Sequence, residues 1–317
     1  MRLNHLLIII SFFYSNALNK PSFLWKSLSN TFKDKARDWF ITRAENDGIQ
    51  WRQMSNKYNN NESNILLNRI KNIKENKSII YPEYYLQPFH GYDTGNMNWE
   101  CCYEGQASTL AISSNYWKGA NITSASEWFR NNITSNIYKY HDSYNITFPK
   151  QILDIGCSLG ISSEHLKKSF NSSDVIGLDL SPYFISMASL LTYVSKTHIP
   201  YIHANAESIP LKDNTMDMIT FNFILHEVPL YPTINILKEA KRLLKKNGTI
   251  VIVDLDQNKL KDRLQVSNFR RWAFEVTEPH IYEYYTTNFE SLLYSIGFNT
   301  VRNYSNDPLN TVIIAQN

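Results

Sequence analysis

From about Gln151 onward, short apolar runs alternate with stretches of helical periodicity, a pattern typical of β/α units around a parallel sheet. Strands are predicted where the apolar runs are short and rich in β-branched residues, and helices where apolar positions recur every third or fourth residue. The predicted strands are QILDIG, DVIGLDL, YIHANA, MDMITFNFI and GTIVIVDL, and the helices between them cover 161–170, 182–197 and 231–246.

The end of the chain departs from this alternation. A helix is predicted over 287–296, with Asn288 as its N-cap and Gly297 as its stop. Two strands, NTVRNYS and TVIIAQN, follow it and are joined by a short Asn-Asp-Pro turn, so we expect them to pair antiparallel. We therefore predict an α/β sandwich with a seven-stranded, mostly parallel sheet, an antiparallel last strand and a helical segment at the N-terminal side.

The first residues carry the pattern of a signal peptide. A basic start at Arg2 precedes an apolar run from Leu6 to Tyr14 and small residues up to Ala17. The run has about nine residues, too few to cross a bilayer as a helix, and no other segment is long and apolar enough to do so. We predict a signal peptide over 1–17 and entry into the secretory pathway. The alternative is a buried strand formed by LLIIISFFY.

Residues 18–37 hold one acidic residue against five basic ones, the composition of an organelle transit sequence. A signal followed by such a stretch resembles the bipartite leaders that lead to a secondary, apicoplast-type plastid. The alternatives are a mitochondrion or the endomembrane lumen as destination, or an ordinary solvated basic linker. We assign 18–80 to a basic leader or linker, partly disordered, with a helix and turn in 38–76 before a loop at NKYNNNESN. A helical lid segment is predicted over 81–149 and the main domain over 150–317.

Charge and cysteine content narrow the classes of function. Residues 18–80 carry 12 Lys and Arg against 6 Asp and Glu, whereas 81–317 carry 19 against 23. Residues 81–317 are therefore slightly acidic, which disfavours a nucleic-acid partner because phosphate binding needs clustered cations. Three cysteines are too few for a disulfide framework, and Cys101, Cys102 and Cys157 lack metal-binding or redox spacing, so no metal site is predicted.

Candidate chemistry concentrates in ILDIGCSLG, residues 152–160, where a strand ends in a turn that leads into an amphipathic helix. Gly156 and Gly160 let a ligand approach a turn that we expect to present bare backbone amides, and the helix N-terminus favours a carboxylate or phosphate. Asp154 precedes the turn; it would repel a pyrophosphate and attract an ammonium. Tight packing between strand and helix is the alternative reason for the glycines.

Two further predicted strand ends carry polar groups. Asp179 lies 23 residues after Gly156 at the adjacent strand end, the spacing of a ribose-binding acid; the alternative is a cap for the helix that begins at Pro182. In HANAES, Asn205, Ala206 and Glu207 could read an adenine edge while Leu180 packs on its face. All these positions lie at the carboxyl edge of one sheet, where open α/β folds bind ligands.

These residues resemble those of the class I S-adenosylmethionine-dependent methyltransferases, in particular the branch with the methyltransferase type 11 domain. LDIGCSLG is similar to the first motif of that family. IPLKDNTMDMITFNFILHEVP is similar to its third and fourth motifs, and KEAKRLLKKNGTIVIVDLD to the helix, Gly turn and fifth strand that follow. The resemblance covers roughly 150–317 and implies a Rossmann-like three-layer sandwich with S-adenosylmethionine as cofactor.

The resemblance also implies roles residue by residue. Asp154 and the Gly156 turn would hold the methionine part, Asp179 the ribose, and Asn205 with Ala206 the adenine. Two positions depart from the family: Ser158 replaces a common glycine and would be strained at positive φ, and Asn205 stands where an acid is common. The full set of cofactor candidates is Asp154, Gly156, Ser158, Gly160, Asp179, Leu180, Asn205, Ala206 and Asn222.

The segment YYLQPFHGYDTGNMNWE, residues 84–100 and called the aromatic segment below, is denser in aromatic residues than a linker. It is similar to segments that precede the cofactor domain in uncharacterised plant and algal methyltransferases, and it is predicted to act as a lid. Aromatic residues that simply cover the sheet edge are the alternative.

Catalysis of methyl transfer rests mainly on alignment, and a base is needed when the acceptor is a hydroxyl or an acidic carbon. His226 is the first candidate for a base or orienter, and Glu227, Glu278 and His280 are further candidates. Structural hydrogen bonding for His226, or a solvated loop for Glu278 and His280, is the alternative.

We predict methyl transfer from S-adenosylmethionine to a small-molecule or lipid-like acceptor. An NAD(P)-dependent oxidoreductase is the rival enzyme class; GCSLG lacks the third glycine of its fingerprint, and an acid precedes the turn. A catalytically inactive scaffold that still binds the cofactor is the non-enzymatic rival, suggested by Ser158 and Asn205.

Overall fold

The structure, a computed structural model, describes residues 37–114, 116–117, 119–266, 271, 274–275 and 278–317. The chain divides into two compact units at Asp47 and Gly48. Residues 37–46 form helix α1 of the first unit, and everything described below belongs to the second. The predicted signal peptide, 1–17, and the transit-like residues up to 36 lie outside the described residues. Within the described part of the chain, every helix is too short or too polar for a membrane span.

Seven strands form one sheet in the order β3-β2-β1-β4-β5-β7-β6. Strand β7 is antiparallel to both of its neighbours, and the remaining pairs are parallel. The predicted α/β fold with a seven-stranded, mostly parallel sheet is therefore confirmed. The strands are β1 Gln151–Ile155, β2 Asp174–Asp179, β3 Tyr201–His203, β4 Met216–Asn222, β5 Leu244–Leu255, β6 Asn299–Ser305 and β7 Asn310–Gln316.

Helices cover both faces of the sheet because the central strands are apolar on both sides. In β1, Leu153 and Ile155 pack into one buried cluster, and Ile152 packs into another on the opposite face. The helices that follow β1 in the chain are α6 Ile161–Ser169, α7 Pro182–Ser195, α8 Leu230–Leu243, α9 Gln257–Gln265, α10 Ile281–Thr286 and α11 Phe289–Ile296.

Two helix ends show how local chemistry sets the boundaries. In α11, the Asn288 side chain accepts from the Ser291 backbone N–H at 2.9 Å, and Gly297 ends the helix at φ 98°, as predicted. Helix α8 ends at Leu243, three residues before the predicted boundary at 246. The reason is that Leu244, fully buried, already pairs with Met216 as the first residue of β5.

The N-terminal part of the second unit is helical and well packed. Helix α3 begins inside the Asn-rich run that the sequence predicted as a loop; Asn60 caps it by accepting from the Ser63 N–H at 2.9 Å. Leu67 of α3 is fully buried with Phe184 and Met187 of α7. The loop prediction is therefore wrong from Asn61 onward. The helices here are α2 Trp51–Asn56, α3 Asn61–Lys74, α4 Trp99–Ser114 and α5 Ile122–Ser143, with a 3-10 turn over Glu83–Leu86.

Candidate active site

The turn between β1 and α6 contains three residues in the left-handed region: Gly156 at φ 69°, Ser158 at φ 47° and Gly160 at φ 75°. The positive φ that would strain a serine is thus present at Ser158. A Cβ on Gly156 would lie 2.7 Å from Ile224 Cδ1, and one on Gly160 would overlap the Tyr201 hydroxyl. Close packing between chain segments, the alternative weighed for the glycines, accounts for Gly160.

The backbone amides of this turn are largely occupied within the protein. Gly156 and Cys157 donate to the Leu178 carbonyl at 2.8 and 3.0 Å, and Gly160 donates to Cys157. The expectation of bare amides across the turn is therefore wrong for these positions, because their N–H groups are hydrogen-bonded to β2 or within the turn. The first N–H groups of α6, which a helix cannot satisfy itself, are the donors that an anionic ligand could use.

Asp154 is fully buried and saturated with donors. Ser162 and Ser163 each donate a hydroxyl to Oδ2 at 2.6 Å, while Thr220 and Asn222 donate to Oδ1 at 2.8 and 3.0 Å. Burial raises the pKa of Asp154, and the four donors oppose that rise. This carboxylate ties α6 and β4 to β1; its predicted contact with the methionine part, and that of Asn222 with the cofactor, stay predictions.

Asp179 ends β2, and its carboxylate accepts hydrogen bonds from backbone amides of the neighbouring turns. Ser158 N–H donates to Oδ2 and Ser181 N–H to Oδ1, each at 2.8 Å. Burial raises the pKa of Asp179 to about 6, although these two N–H groups oppose the rise. The carboxylate retains lone pairs that could accept from a ribose diol, as predicted from its spacing.

The third strand end places the adenine candidates together. Asn205 Oδ1 accepts from the Glu207 N–H at 2.9 Å, so this oxygen already caps its own turn and the Nδ2 amide is the freer group. Ala206 is buried beside it. Leu180, half-buried, offers its carbonyl to His203 Nε2 at 2.9 Å. The adenine-binding roles of Leu180, Asn205 and Ala206 stay predictions.

The aromatic segment and the residues just before it lie across the ends of β2 and β3. Tyr84 donates to Glu207 Oε1 at 3.0 Å, and the Asn96 carbonyl accepts from Ser181 Oγ at 2.7 Å. Upstream of the segment, Asn76 N–H donates to His203 Nδ1 at 2.8 Å. This placement fits both the lid and the simple cover that the sequence allowed.

His226 lies in a 3-10 turn after β4 and is held by Asp254, at the end of β5. Its Nδ1 lies 2.7 Å from Asp254 Oδ1, and the N–H groups of Leu225 and His226 donate to Oδ2 at 3.1 and 3.3 Å. Burial lowers the pKa of His226, but the Asp254 carboxylate outweighs it and raises the pKa to about 10. With Nδ1 committed to Asp254, His226 presents Nε2 to a ligand.

Two acids and a second histidine lie beside His226. His90 Nε2 lies 3.1 Å from Glu278 Oε1 and 3.7 Å from Glu227 Oε1. Burial raises the pKa of Glu227 to about 7, against the opposing charges of His90 and His226. Of the four catalytic candidates, His226, Glu227 and Glu278 are brought together, whereas His280 packs edge-on against Tyr84 with ring centroids 6.4 Å apart.

Three residues of this region were missed by sequence reasoning. Asp254 had a usable signal, since it is the penultimate residue of β5, as Asp154 is of β1. His90 and Tyr85 sit in the aromatic segment, which the sequence marked without separating its members. The Tyr85 hydroxyl is buried with no hydrogen-bond partner among the described residues. Burial raises the pKa of Tyr85, and the charges of Asp179 and then Glu227 add to the rise.

Comparison with known proteins gives a matching family over the site-bearing strands. The family described as Methyltransferase domain matches residues 153–252. The resemblance drawn from the motifs is thereby confirmed for that span.

Relatives of known name match a similar part of the chain. A demethylmenaquinone methyltransferase of Bacillus licheniformis is 36% identical over 106 residues, which are 33% of this chain and 44% of that protein. A ubiquinone biosynthesis O-methyltransferase of Aliivibrio fischeri is 28% identical over 118 residues, 37% of this chain and 49% of that one. The chain thus spans about half the length of these relatives. A solved SAM-dependent methyltransferase of Methanosarcina mazei is 24% identical, with 57% of this chain and 96% of that chain covered at a TM-score of 0.45.

Proposed function

We propose that this chain, which carries a class I S-adenosylmethionine-dependent methyltransferase domain, transfers a methyl group to a hydroxyl of a small, lipid-like acceptor. The observation that carries the proposal is that Asp179 lies at the carboxyl end of β2 and the His226–Asp254 pair at the carboxyl ends of β4 and β5, in one sheet. The predicted ribose acid and the proton-handling residues therefore share the carboxyl edge of the sheet, where open α/β folds bind ligands.

The residues present fit S-adenosylmethionine. Asp179 is a buried carboxylate whose neighbours are backbone N–H groups rather than cations, which suits hydroxyl donors better than an anionic ligand. Asp154, also buried and anionic in character, disfavours a pyrophosphate nearby. When bound, this cofactor supplies a methyl group already activated on a sulfonium, so the protein's main task is alignment.

His226 and Glu227 divide the proton chemistry at the acceptor end. With its pKa near 10, His226 is cationic at neutral pH and is suited to stabilise a developing oxyanion rather than to take up a proton. Glu227, with a pKa near 7, is poised to accept the hydroxyl proton. Asp254 holds the His226 ring in place through Nδ1. The base assignment therefore moves from His226, the first sequence candidate, to its neighbour.

The lipid-like character of the acceptor is supported from two sides. Aromatic side chains adjoin this end of the site: the Phe89 ring lies 3.9 Å from that of His90, and Phe223 and Tyr284 pack edge-on against His226 at 6.4 and 6.1 Å between ring centroids. The two relatives described above carry names that point to quinone-type acceptors, which are apolar molecules with ring oxygens.

The experiment is a screen of lipid and small-molecule extracts for label transferred from methyl-labelled S-adenosylmethionine, with a calorimetric titration alongside. We expect S-adenosylmethionine to bind, NADH not to bind, and label to appear in an apolar product with the wild type but not with His226→Ala. Binding of NADH alone would favour the oxidoreductase. Binding of S-adenosylmethionine with no labelled product from any extract would favour the inactive scaffold.

A further inference from the structure

We infer that His90, His226, Glu227 and Glu278, called the His90 cluster below, form a binding site for one divalent transition-metal ion. The sequence predicts no metal site, because its cysteines lack metal-binding spacing. The fold brings the four residues together from the aromatic segment, the turn after β4 and the chain before α10.

The spacing of the donor atoms suits a small ion. His90, His226 and Glu227 each offer one ligand atom, and all three atoms lie within 4.8 Å of one another. His90 Nε2 is 3.7 Å from Glu227 Oε1 and 3.1 Å from Glu278 Oε1. Ligands about 2.0–2.2 Å from a tetrahedral ion lie about 3.4 Å apart, between these two distances.

A second observation points to a missing partner. Glu278 is buried, and its Oε2 is without a hydrogen-bond partner among the described residues. A buried carboxylate oxygen left unpaired is destabilising, so such an atom calls for a ligand. The other oxygen of the same carboxylate already lies against His90, so a ligand of Glu278 would be in reach of the histidine as well.

His226 has the support that metal-binding histidines have. Its Nδ1 is engaged by the Asp254 carboxylate at 2.7 Å, the arrangement that orients the ring and leaves Nε2 for a metal. An ion at Nε2 would displace the proton that makes metal-free His226 cationic, so metal binding would release a proton. Asp254 is in turn held by the N–H groups of Leu225 and Leu255. This supporting shell is present without any contribution from the ion itself.

The donor set selects the class of ion. Two imidazole nitrogens with two carboxylates favour Zn²⁺, Fe²⁺ or Mn²⁺ over Mg²⁺ and Ca²⁺, which prefer oxygen ligands. Glu227, Glu278 and Asp254 bring three carboxylates to two imidazoles, and a divalent ion would offset that excess of negative charge.

Such an ion would join the aromatic segment to the strand ends, since His90 is the cluster's one member from that segment. It would take His226 and Glu227, the proton-handling residues of the proposed function, as ligands, and in the metal-bound protein the ion in their place could bind an acceptor oxygen. Metal binding is measurable without methyl transfer, so the two proposals fail separately.

The test uses the full chain, freed of metal with EDTA and titrated by calorimetry with ZnCl₂, MnCl₂ and MgCl₂, with elemental analysis of the bound metal. We expect one zinc ion per chain and binding of Mg²⁺ weaker by at least about 100-fold. His90→Gln and Glu278→Gln should each lower zinc affinity by about tenfold or more, and Asp254→Asn by about 10- to 100-fold. Circular dichroism establishes that each variant is folded.

His198→Gln is the matched control, since His198 is exposed and lies outside the His90 cluster. Its zinc affinity should stay within about twofold of the wild type. Absence of zinc and manganese binding, or binding that neither His90→Gln nor Glu278→Gln weakens, overturns the inference. Cofactor binding by the metal-free protein, measured in the same titrations, shows whether the proposed function stands independently.

Discussion

The end of the site at β1 and β2 and the end at β4 and β5 differ in whether their buried polar side-chain atoms are hydrogen-bonded within the chain. At the ends of β1 and β2, Asp154 accepts from four side chains and Asp179 from two backbone amides. Beyond β4 and β5, Glu278 Oε2 and the Tyr85 hydroxyl are buried with no partner among the residues described. The first end is a framework whose carboxylates are hydrogen-bonded within the chain, and the second is a group of titratable side chains that includes buried polar atoms with no partner among the described residues.

The strongest way to break this comparison is Asp154→Ala, which should unfold the framework. It leaves four donors without their acceptor in a fully buried position. We expect a loss of about 4 kcal/mol or more in the free energy of unfolding, measured by urea denaturation. Asp154→Asn keeps one acceptor oxygen and should lose less. If the free energy of unfolding of Asp154→Ala stayed within about 1 kcal/mol of the wild-type value, Asp154 would not be essential to the framework.

At the other end, His226→Gln should affect catalysis rather than the framework. Loss of the charged imidazole should lower kcat by about 100-fold or more, while the affinity for S-adenosylmethionine stays within about twofold. The measurement is single-turnover methyl transfer once an acceptor is in hand, with His198→Gln as control. Equal losses in kcat and in cofactor affinity would mean that the two ends are not separate.

The His226 and Asp254 pair should make stability depend on pH. The pKa of His226 is raised above its unfolded value to about 10, so its contribution is complete below about pH 6.5 and is lost as pH rises toward 10. The stability gap between wild type and Asp254→Asn should therefore narrow by about 2 kcal/mol between pH 6.5 and 10. Urea denaturation in EDTA measures the free energy of unfolding of both proteins at each pH. Groups that titrate equally in the two proteins do not contribute to the difference between them. A gap independent of pH would contradict the assigned charge.

Asp179→Ala sharpens the role of the framework in binding. Removal of the predicted ribose acceptor should weaken S-adenosylmethionine binding by more than about tenfold, or about 1.4 kcal/mol. Asp174→Ala is the matched control, because Asp174 is an exposed carboxylate at the opposite end of the same strand. Unchanged affinity in Asp179→Ala would place the ribose elsewhere.

Ser158→Gly should have the smallest effect, and a favourable one. A left-handed serine is strained by roughly 1–2 kcal/mol, whereas glycine adds roughly 0.5–1 kcal/mol of unfolded-state entropy. The balance predicts a gain of about 0.5 kcal/mol, read from thermal unfolding, with the N–H that donates to Asp179 retained. Ser158→Ala keeps the Cβ and should show no gain. Destabilisation by glycine would mean that the serine hydroxyl has its own role.

The sheet and the framework were predictable because their signals are local. The β1 turn is one run of nine residues, and Asp179 lies one β/α unit later on the adjacent strand. Even there the sequence could not reveal that the N–H groups of Gly156 and Cys157 donate to the Leu178 carbonyl, because these hydrogen bonds depend on how closely β2 packs against the turn.

The acceptor end was predictable only in part, because its members are distant in the chain. His226 and Glu227 follow a recognisable strand, but His90 and Glu278 reach them only through tertiary packing. Helix α3 was missed for a related reason: its polar composition hides the helix, and burial of Leu67 against α7 stabilises it. Asn60 as a cap was the one local clue.

Tyr201 has a consequence for how this protein can vary. Its ring fills the space where side chains of Gly160 and Gly177 would stand, and its hydroxyl is tied to Thr192 at 2.8 Å. One aromatic residue therefore dictates two glycines on neighbouring segments. A lineage that replaced this tyrosine with a small residue would remove the ring from both positions. A Cβ at 177 would then still lie 2.9 Å from Cys157 Sγ, and a residue at 160 would still need a left-handed backbone, so each glycine keeps a second constraint of its own.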